Sequence, residues 1–266
     1  MRAGATAAVL CVAAVASAQE ADDPHDAQPE RPTVATHAYT VWPGWTEIEF
    51  GLEFDHSSDA HVFLTPTTWK VGLAKRVQIE ATTYFVSKSD GERLSGFGDI
   101  FLALKWRLAD SLPLLGSFAI QPSVELPSGS VALDDGKTIG ELLFISSNQL
   151  GPVELDINGG VFVRFSDPAT APANSTLWTV SAATPVIGSL GWTMEVFGYP
   201  GTSGQAGSAP IVGLLTGPYY AVHRWFYLDT GVIIPLDGPQ PHAVYVGLTW
   251  NMGQLWVAKS VSATSR

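Results

Sequence analysis

From Asp99 to Leu108 the chain alternates without a slip. Ile100, Leu102, Leu104, Trp106 and Leu108 fall on one side, and Asp99, Phe101, Ala103, Lys105 and Arg107 on the other. A repeat of two positions is the signature of a β-strand, whose successive side chains point to opposite faces. After the short break Ala109–Pro113 the alternation resumes, with Phe118, Ile120, Pro122, Val124 and Leu126 set against Ser117, Ala119, Gln121, Ser123 and Glu125. The pair reads as a hairpin followed by the loop opener Pro127-Ser128-Gly129. Each strand runs to about ten residues. Strands of soluble proteins usually have about five or six, whereas a tilted strand needs about 9–11 to cross a bilayer.

The same reading along the chain predicts twelve strands, near 45–55, 62–73, 76–86, 98–108, 115–126, 139–149, 153–165, 176–187, 191–199, 210–221, 225–236 and 242–252. Their connections alternate in length. Ala74-Lys75, 109–113, Gly151-Pro152, Gly188-Ser189 and His223-Arg224 are short, while 87–97, 127–138, 166–175 and 200–209 are longer, polar and rich in Gly, Pro and Ser. Short turns at one end and long loops at the other are the habit of bacterial membrane barrels. The faces fit: Ile48, Phe50, Leu52 and Phe54 oppose Glu47, Glu49, Glu53 and Asp55, and Val244, Val246, Leu248 and Trp250 oppose Ala243, Tyr245, Gly247 and Thr249. A soluble barrel would turn the apolar faces inward. Strand length, together with Trp45, Trp69, Trp106, Trp192, Trp225 and Trp250 near strand ends as candidate aromatic girdles, favours lipid on the apolar side. The expected fold is therefore all-β, a transmembrane antiparallel up-and-down β-barrel of about 12 strands over residues 45–252.

Composition narrows the surroundings of that barrel. Beyond the N-terminus no apolar run is long enough for a spanning helix. Residues 1–18 carry Arg2, an Ala/Val/Leu core and Ala16-Ser17-Ala18, the pattern of a secretory signal peptide cleaved before Gln19. The single cysteine, Cys11, lies in that core, so the mature chain is expected to have no thiol or disulfide chemistry. Residues 19–44, acidic and proline-bearing, read as a disordered periplasmic lead-in, and 253–266 as a C-terminal tail. Net charge is −11, from 25 acidic and 14 basic residues, with no basic patch. That argues against nucleic-acid binding.

The run Gly96-Phe97-Gly98-Asp99-Ile100-Phe101-Leu102-Ala103-Leu104-Lys105-Trp106-Arg107-Leu108 resembles the G-x-G-D-x-x-L-x-L-K-[YW]-R-L signature of the outer-membrane barrels named for the meta-pathway of phenol degradation. Val124-Glu125-Leu126-Pro127-Ser128-Gly129 is similar to the strand end of that family, Val71–Glu80 to its preceding hairpin, and Gly247-Leu248-Thr249-Trp250 to its C-terminal ending. The chain departs from the pattern in continuing past that ending to Arg266. The resemblance implies an outer-membrane barrel that moves hydrophobic aromatic compounds.

On the polar face, the candidate lumen residues are Glu47, Glu49, Glu53, Glu80, Lys105, Arg107, Glu125, Glu154, Asp156, Arg164, Glu195, Tyr227, Asp229 and Tyr245, with Lys70 beside them. An excess of carboxylates in a narrow pore favours cations or neutral polar solutes. The same groups could instead pair with one another and hold the strands rigid. Tyr84, Phe101, Phe162, Phe197 and Tyr199 share this register and suit an aromatic solute better than a salt ion. Three functions stay open: a passive channel for small solutes, an outer-membrane lipid enzyme and a non-conducting structural barrel. For the enzyme the best candidate is His61 with Ser57 or Ser58. Asp134-Asp135-Gly136 lacks the further oxygen ligands of a calcium loop, and Gly201, Gly204 and Gly207 open no helix. No catalytic residue, metal or cofactor is expected; the expected partners are the lipid bilayer and small solutes.

Overall fold

The structure, a computed structural model, describes residues 23–57, 61–89, 93–130, 138–165, 174–200 and 210–257. The signal peptide with Cys11, Ser58, the Asp134-Asp135-Gly136 turn, the glycines at 201, 204 and 207 and the tail past 257 lie outside the described residues. The strands are β1 (Trp45–His56), β2 (His61–Ala74), β3 (Val77–Ser89), β4 (Arg93–Phe97), β5 (Ile100–Leu112), β6 (Gly116–Leu126), β7 (Ile139–Leu150), β8 (Val153–Arg164), β9 (Asn174–Ile187), β10 (Leu190–Tyr199), β11 (Ile211–His223), β12 (Phe226–Asp237) and β13 (His242–Gln254). Apart from β4 and β5, which do not pair with each other, each pairs antiparallel with its sequence neighbours, and β1 also pairs with β13, so the sheet closes on itself. Both β4 and β5 pair with β3. They are two halves of one barrel strand, which makes the closed barrel twelve-stranded.

The interruption between β4 and β5 falls at Gly98 and Asp99. These were expected to open a continuous strand, with 87–97 as a loop; instead β3 runs on to Ser89 and pairs with β4 as a hairpin. A side chain at 98 would collide with the Tyr84 ring, and the Gly98 amide donates to the Tyr84 carbonyl at 2.8 Å. The Asp99 carboxylate leaves the ladder and accepts from the amides of Ser128 and Gly129 at 2.8 and 2.6 Å. The Gly-x-Gly-Asp and Leu-Pro-Ser-Gly segments thus lock to each other at the long-loop end. At the other end, the break expected at 109–113 is strand as far as Leu112, with the ladder irregular near Ala109.

Polarity runs opposite to that of a soluble barrel. On β5, Leu102, Leu104 and Trp106 are 42%, 38% and 50% exposed, while Lys105 and Arg107 between them are 0% and 1%. Greasy side chains on the outside and ionised ones within are stable only where hydrocarbon surrounds the barrel. Trp69, Trp106, Trp192 and Trp250 are exposed on that outer face, in the halves of their strands that lead to the short turns. They form a belt at one interface. Trp45 and Trp225, expected in the same girdle, flank His25 instead, with ring centroids 5.1 and 5.7 Å away.

Candidate functional site in the barrel lumen

Residues 23–44 are not the disordered lead-in that their composition suggests. They enter at the short-turn end, where Asp23 and Asp26 meet Arg224 at 2.7 and 3.5 Å and the Ala27 amide donates to the Arg224 carbonyl. They return to the same end at Pro43 and Gly44, beside Gly72. Between these points the segment folds inside the barrel: Ala35, Ala38, Tyr39 and Val41 are all buried. Such a segment has no strand partner, so its amides must be satisfied by the wall.

The wall supplies acceptors in sequence around the bore. Glu47 Oε2 on β1 accepts from the Gln28 amide and Glu49 Oε1 from the Glu30 amide, both at 2.7 Å. The carboxylate of Glu195 on β10 accepts from two successive amides, Val34 at 2.8 Å and Ala35 at 2.7 Å. Asn158 on β8, Ser147 on β7 and Gln78 on β3 accept from Thr36, Ala38 and Val41 at 2.7, 2.8 and 2.6 Å. On β13, Asn251 donates to the carbonyls of Pro24 and Asp26 at 3.3 and 3.2 Å. Many of these wall atoms are themselves held: Gln78 donates to Glu80 at 2.8 Å and Ser147 to Asp156 at 2.5 Å.

Two buried ammonium groups complete the fit. Lys70 Nζ lies 2.6 Å from Glu47, 2.8 Å from Glu49 and 2.6 Å from the Gln28 carbonyl. Lys105 Nζ pairs with Glu30 of the segment, donates to Thr36 Oγ1 at 2.7 Å and lies 3.6 Å from Glu80. A buried ion is tolerable only when its remaining protons and lone pairs are matched, and here the segment provides part of that matching. Burial raises the Glu30 pKa, but the charges of Lys105 and Lys70 together outweigh it and hold the carboxyl at about 2. Burial, with Lys105 nearby, pushes His37 down to about 3. Its imidazole is neutral in place.

Arg31 reaches Asp229 on β12 at 3.4 Å. Its guanidinium occupies the space over Gly51 and Gly247, cross-strand partners on β1 and β13, where an added Cβ at either position would run into it. Between the segment and the wall from β7 to β13 there remains a cavity of about 580 Å³. Gln28, Arg31, His37 and Tyr39 line it from the segment, and Glu154, Tyr219, Tyr227 and Asp229 from the wall.

The fourteen residues singled out from the sequence occupy this inner face unevenly. Glu47, Glu49, Glu80, Lys105, Arg107, Glu125, Glu195, Asp229 and Tyr245 are buried; Glu53, Glu154, Asp156, Arg164 and Tyr227 are half-buried. Glu47, Glu49 and Glu195 bind the segment's amides, Lys105 and Asp229 its ionic side chains. Arg107 stands 5.6 Å from the Tyr39 ring. Glu53, cross-strand from Tyr245, and Glu125 and Arg164, both cross-strand from Ile139, stand nearer the long-loop end. Sequence reasoning missed Asn158, Ser147 and Gln78 on the wall, and every contact of the segment. The available signal was a row of inward acceptors outnumbering inward donors.

No protein-family profile matches the chain, and no curated protein sequence does. Solved structures do resemble it. The COG4313 outer membrane channel from Pseudomonas putida F1 matches with a TM-score of 0.58 at 16% identity, over 78% of this chain and 95% of that one. The KdgM porin in complex with disordered oligogalacturonate matches at 0.53 and 10% identity, over 77% and 98%. At such identities the likeness speaks for architecture alone. This chain therefore shares with them the architecture of a closed, antiparallel β-barrel, here of twelve strands.

Proposed function

We propose that the protein is an outer-membrane channel through which small solutes diffuse passively, and that residues 23–44 form its resting closure. The observation that carries this reading is the segment's attachment: it is bound to β1, β2, β3, β5, β7, β8, β10, β12 and β13 within one polar lumen. Passage through the full bore is then coupled to displacement of the segment. Barrels of 8 strands have interiors just wide enough for side chains; twelve leave room for a folded-back stretch of chain, and for a path once it moves.

The solute class follows from the lining. Tyr39, Tyr219 and Tyr227 face the residual cavity together with Glu154 and Asp229, and Phe197, Tyr199 and Tyr245 pack at the level above. Aromatic walls with a few polar groups suit a small aromatic or otherwise hydrophobic solute, in line with the resemblance to the phenol meta-pathway barrels. A signal peptide over 1–18 would deliver the chain to the outer membrane with the short turns and both termini on the periplasmic side. The lumen-facing carboxylates, Glu47, Glu49 and Glu195 above all, act first as docking points for the segment, and bias the open pore toward cations when it leaves.

A second reading, a non-conducting structural barrel, is favoured by the same buried ion pairs around Lys70 and Lys105. Planar-bilayer recording of the purified protein separates the two. Discrete conductance steps with a cation-selective reversal potential support the channel; a silent bilayer with correctly folded protein supports the inert barrel. For the lipid-enzyme reading, the observed neighbour of His61 is another imidazole, with its Nδ1 3.0 Å from His56 Nδ1.

A further inference from the structure

We infer that this chain carries a second binding site, a chelate for a divalent transition-metal ion on the outer face of its long-loop rim. His56 closes β1 and His61 opens β2, and the register sets them directly opposite each other. His242, the first residue of β13, is the partner of His56 on its other side. The three exposed imidazoles therefore form a row across the seam where the first and last strands meet. One register step below, Phe54, Phe63 and Val244 begin the lipid-facing surface, so the row stands at the boundary of hydrocarbon and solvent.

The Nδ1 atoms of His56 and His61 are 3.0 Å apart, with the rings stacked at 4.7 Å between centroids. Two δ nitrogens aimed at each other can share at most one proton, so at least one presents a bare lone pair, the form in which a neutral imidazole takes a metal. At metal–nitrogen bonds of about 2.0–2.1 Å, the 3.0 Å separation subtends about 94° at a shared ion. That is near the right angle of tetragonal coordination, which suits Cu(II) or Ni(II). Among the described residues no three His, Cys, Asp or Glu donors already converge on one point. The site is thus a two-nitrogen chelate whose other positions go to water, with His242 next to it in the register. A bound ion would tie β1 to β2 at the barrel's closure. The site is separate from the lumen: the inner face of the same strands carries Glu53 and Asp55.

Calorimetric titration of Cu²⁺ into the untagged, detergent-folded full-length protein tests the assignment. The binding isotherm should show an ion whose affinity falls in His56→Ala and in His61→Ala by at least the ~10–100-fold that loss of a merely supporting residue costs. His242→Ala should lose less. Electron paramagnetic resonance of the Cu²⁺-loaded protein should show nitrogen superhyperfine splitting that the His56→Ala/His61→Ala protein lacks. Each variant is first checked for heat-modifiable gel migration, and His61→Gln replaces any that fails to fold. Absence of binding by folded wild-type protein, or affinity and spectrum unchanged in the double variant, overturns the site.

Discussion

Asn158 grips the peptide of Thr36 with both ends of its side-chain amide: its Oδ1 accepts from the Thr36 N–H at 2.7 Å and its Nδ2 donates to the Thr36 carbonyl at 2.9 Å. Residues 122 positions apart in the chain thereby make, between side chain and backbone, the paired exchange that two strands make between backbones. Both groups are buried, so neither can turn to bulk water instead.

Replacing Asn158 by Leu should leave the Thr36 N–H and C=O unsatisfied, at about 1–3 kcal/mol for each buried group. The barrel's own ladder does not use this side chain, so the loss falls on docking of the segment. Faster hydrogen exchange at the Thr36 amide with unchanged heat-modifiable migration is the expected result; equal exchange would show that the segment is held without this clamp.

Locking the segment should silence the pore. The Ser147 hydroxyl lies 2.8 Å from the Ala38 amide, and the chain's only cysteine is Cys11, so Ala38→Cys with Ser147→Cys places one new thiol pair at a known contact. Oxidised protein should show lower open probability in planar bilayers than the same protein after reduction. Identical traces in the two states would mean that solutes move past a stationary segment.

Lys70→Met should destabilise the whole barrel, because Glu47 and Glu49 would be left buried without their cation. Breaking one partner out of such a group costs about 3–5 kcal/mol. Adding Glu47→Gln and Glu49→Gln should recover most of the loss, as an uncharged, hydrogen-bonded set needs no counter-ion. The temperature at which the folded gel band disappears reads both effects.

Acid should release the segment. Glu30 is held at about 2 against an ordinary 4.5, so its contribution is complete above pH 4.5 and is lost as pH falls toward 2. His37 is held at about 3 against 6.5. Its neutral form fits in place while the released form takes up a proton, so docking weakens as pH falls from 6.5 toward 3. The two effects have the same sign. The charged groups acting on His37 are Lys105 of β5, Lys70 of β2 and Glu30 of its own segment, and the first two disfavour a third cation among them. Protease cleavage within 23–44 should rise between pH 6.5 and 4.5, and His37→Asn should flatten that part of the profile.

Strand number and the division into two faces were legible in the sequence because each depends on a local rule. Side chains alternate with a period of two, whatever the strand packs against, and about ten residues of that period are what a bilayer requires of a tilted strand. Hence Leu102, Leu104 and Trp106 could be set apart from Lys105 and Arg107 before any fold was known. Gly98 and Asp99 already departed from that rule, since a tyrosine ring from the neighbouring strand and the loop after β6 decided their conformation.

What fills the bore lay beyond any local rule. Residues 23–44 have no periodicity of their own, and their prolines and acids are those of a solvated tail. They are ordered by acceptors on distant strands, 198 positions away in the case of Arg31 and Asp229. Only closure of the barrel brings Glu47, Gln78, Ser147, Asn158 and Glu195 around one axis, and only then does an extended stretch of unpartnered amides become the complement of a wall of unpartnered oxygens. The sequence determined which side of each strand is polar; the tertiary structure decided what that polar side holds.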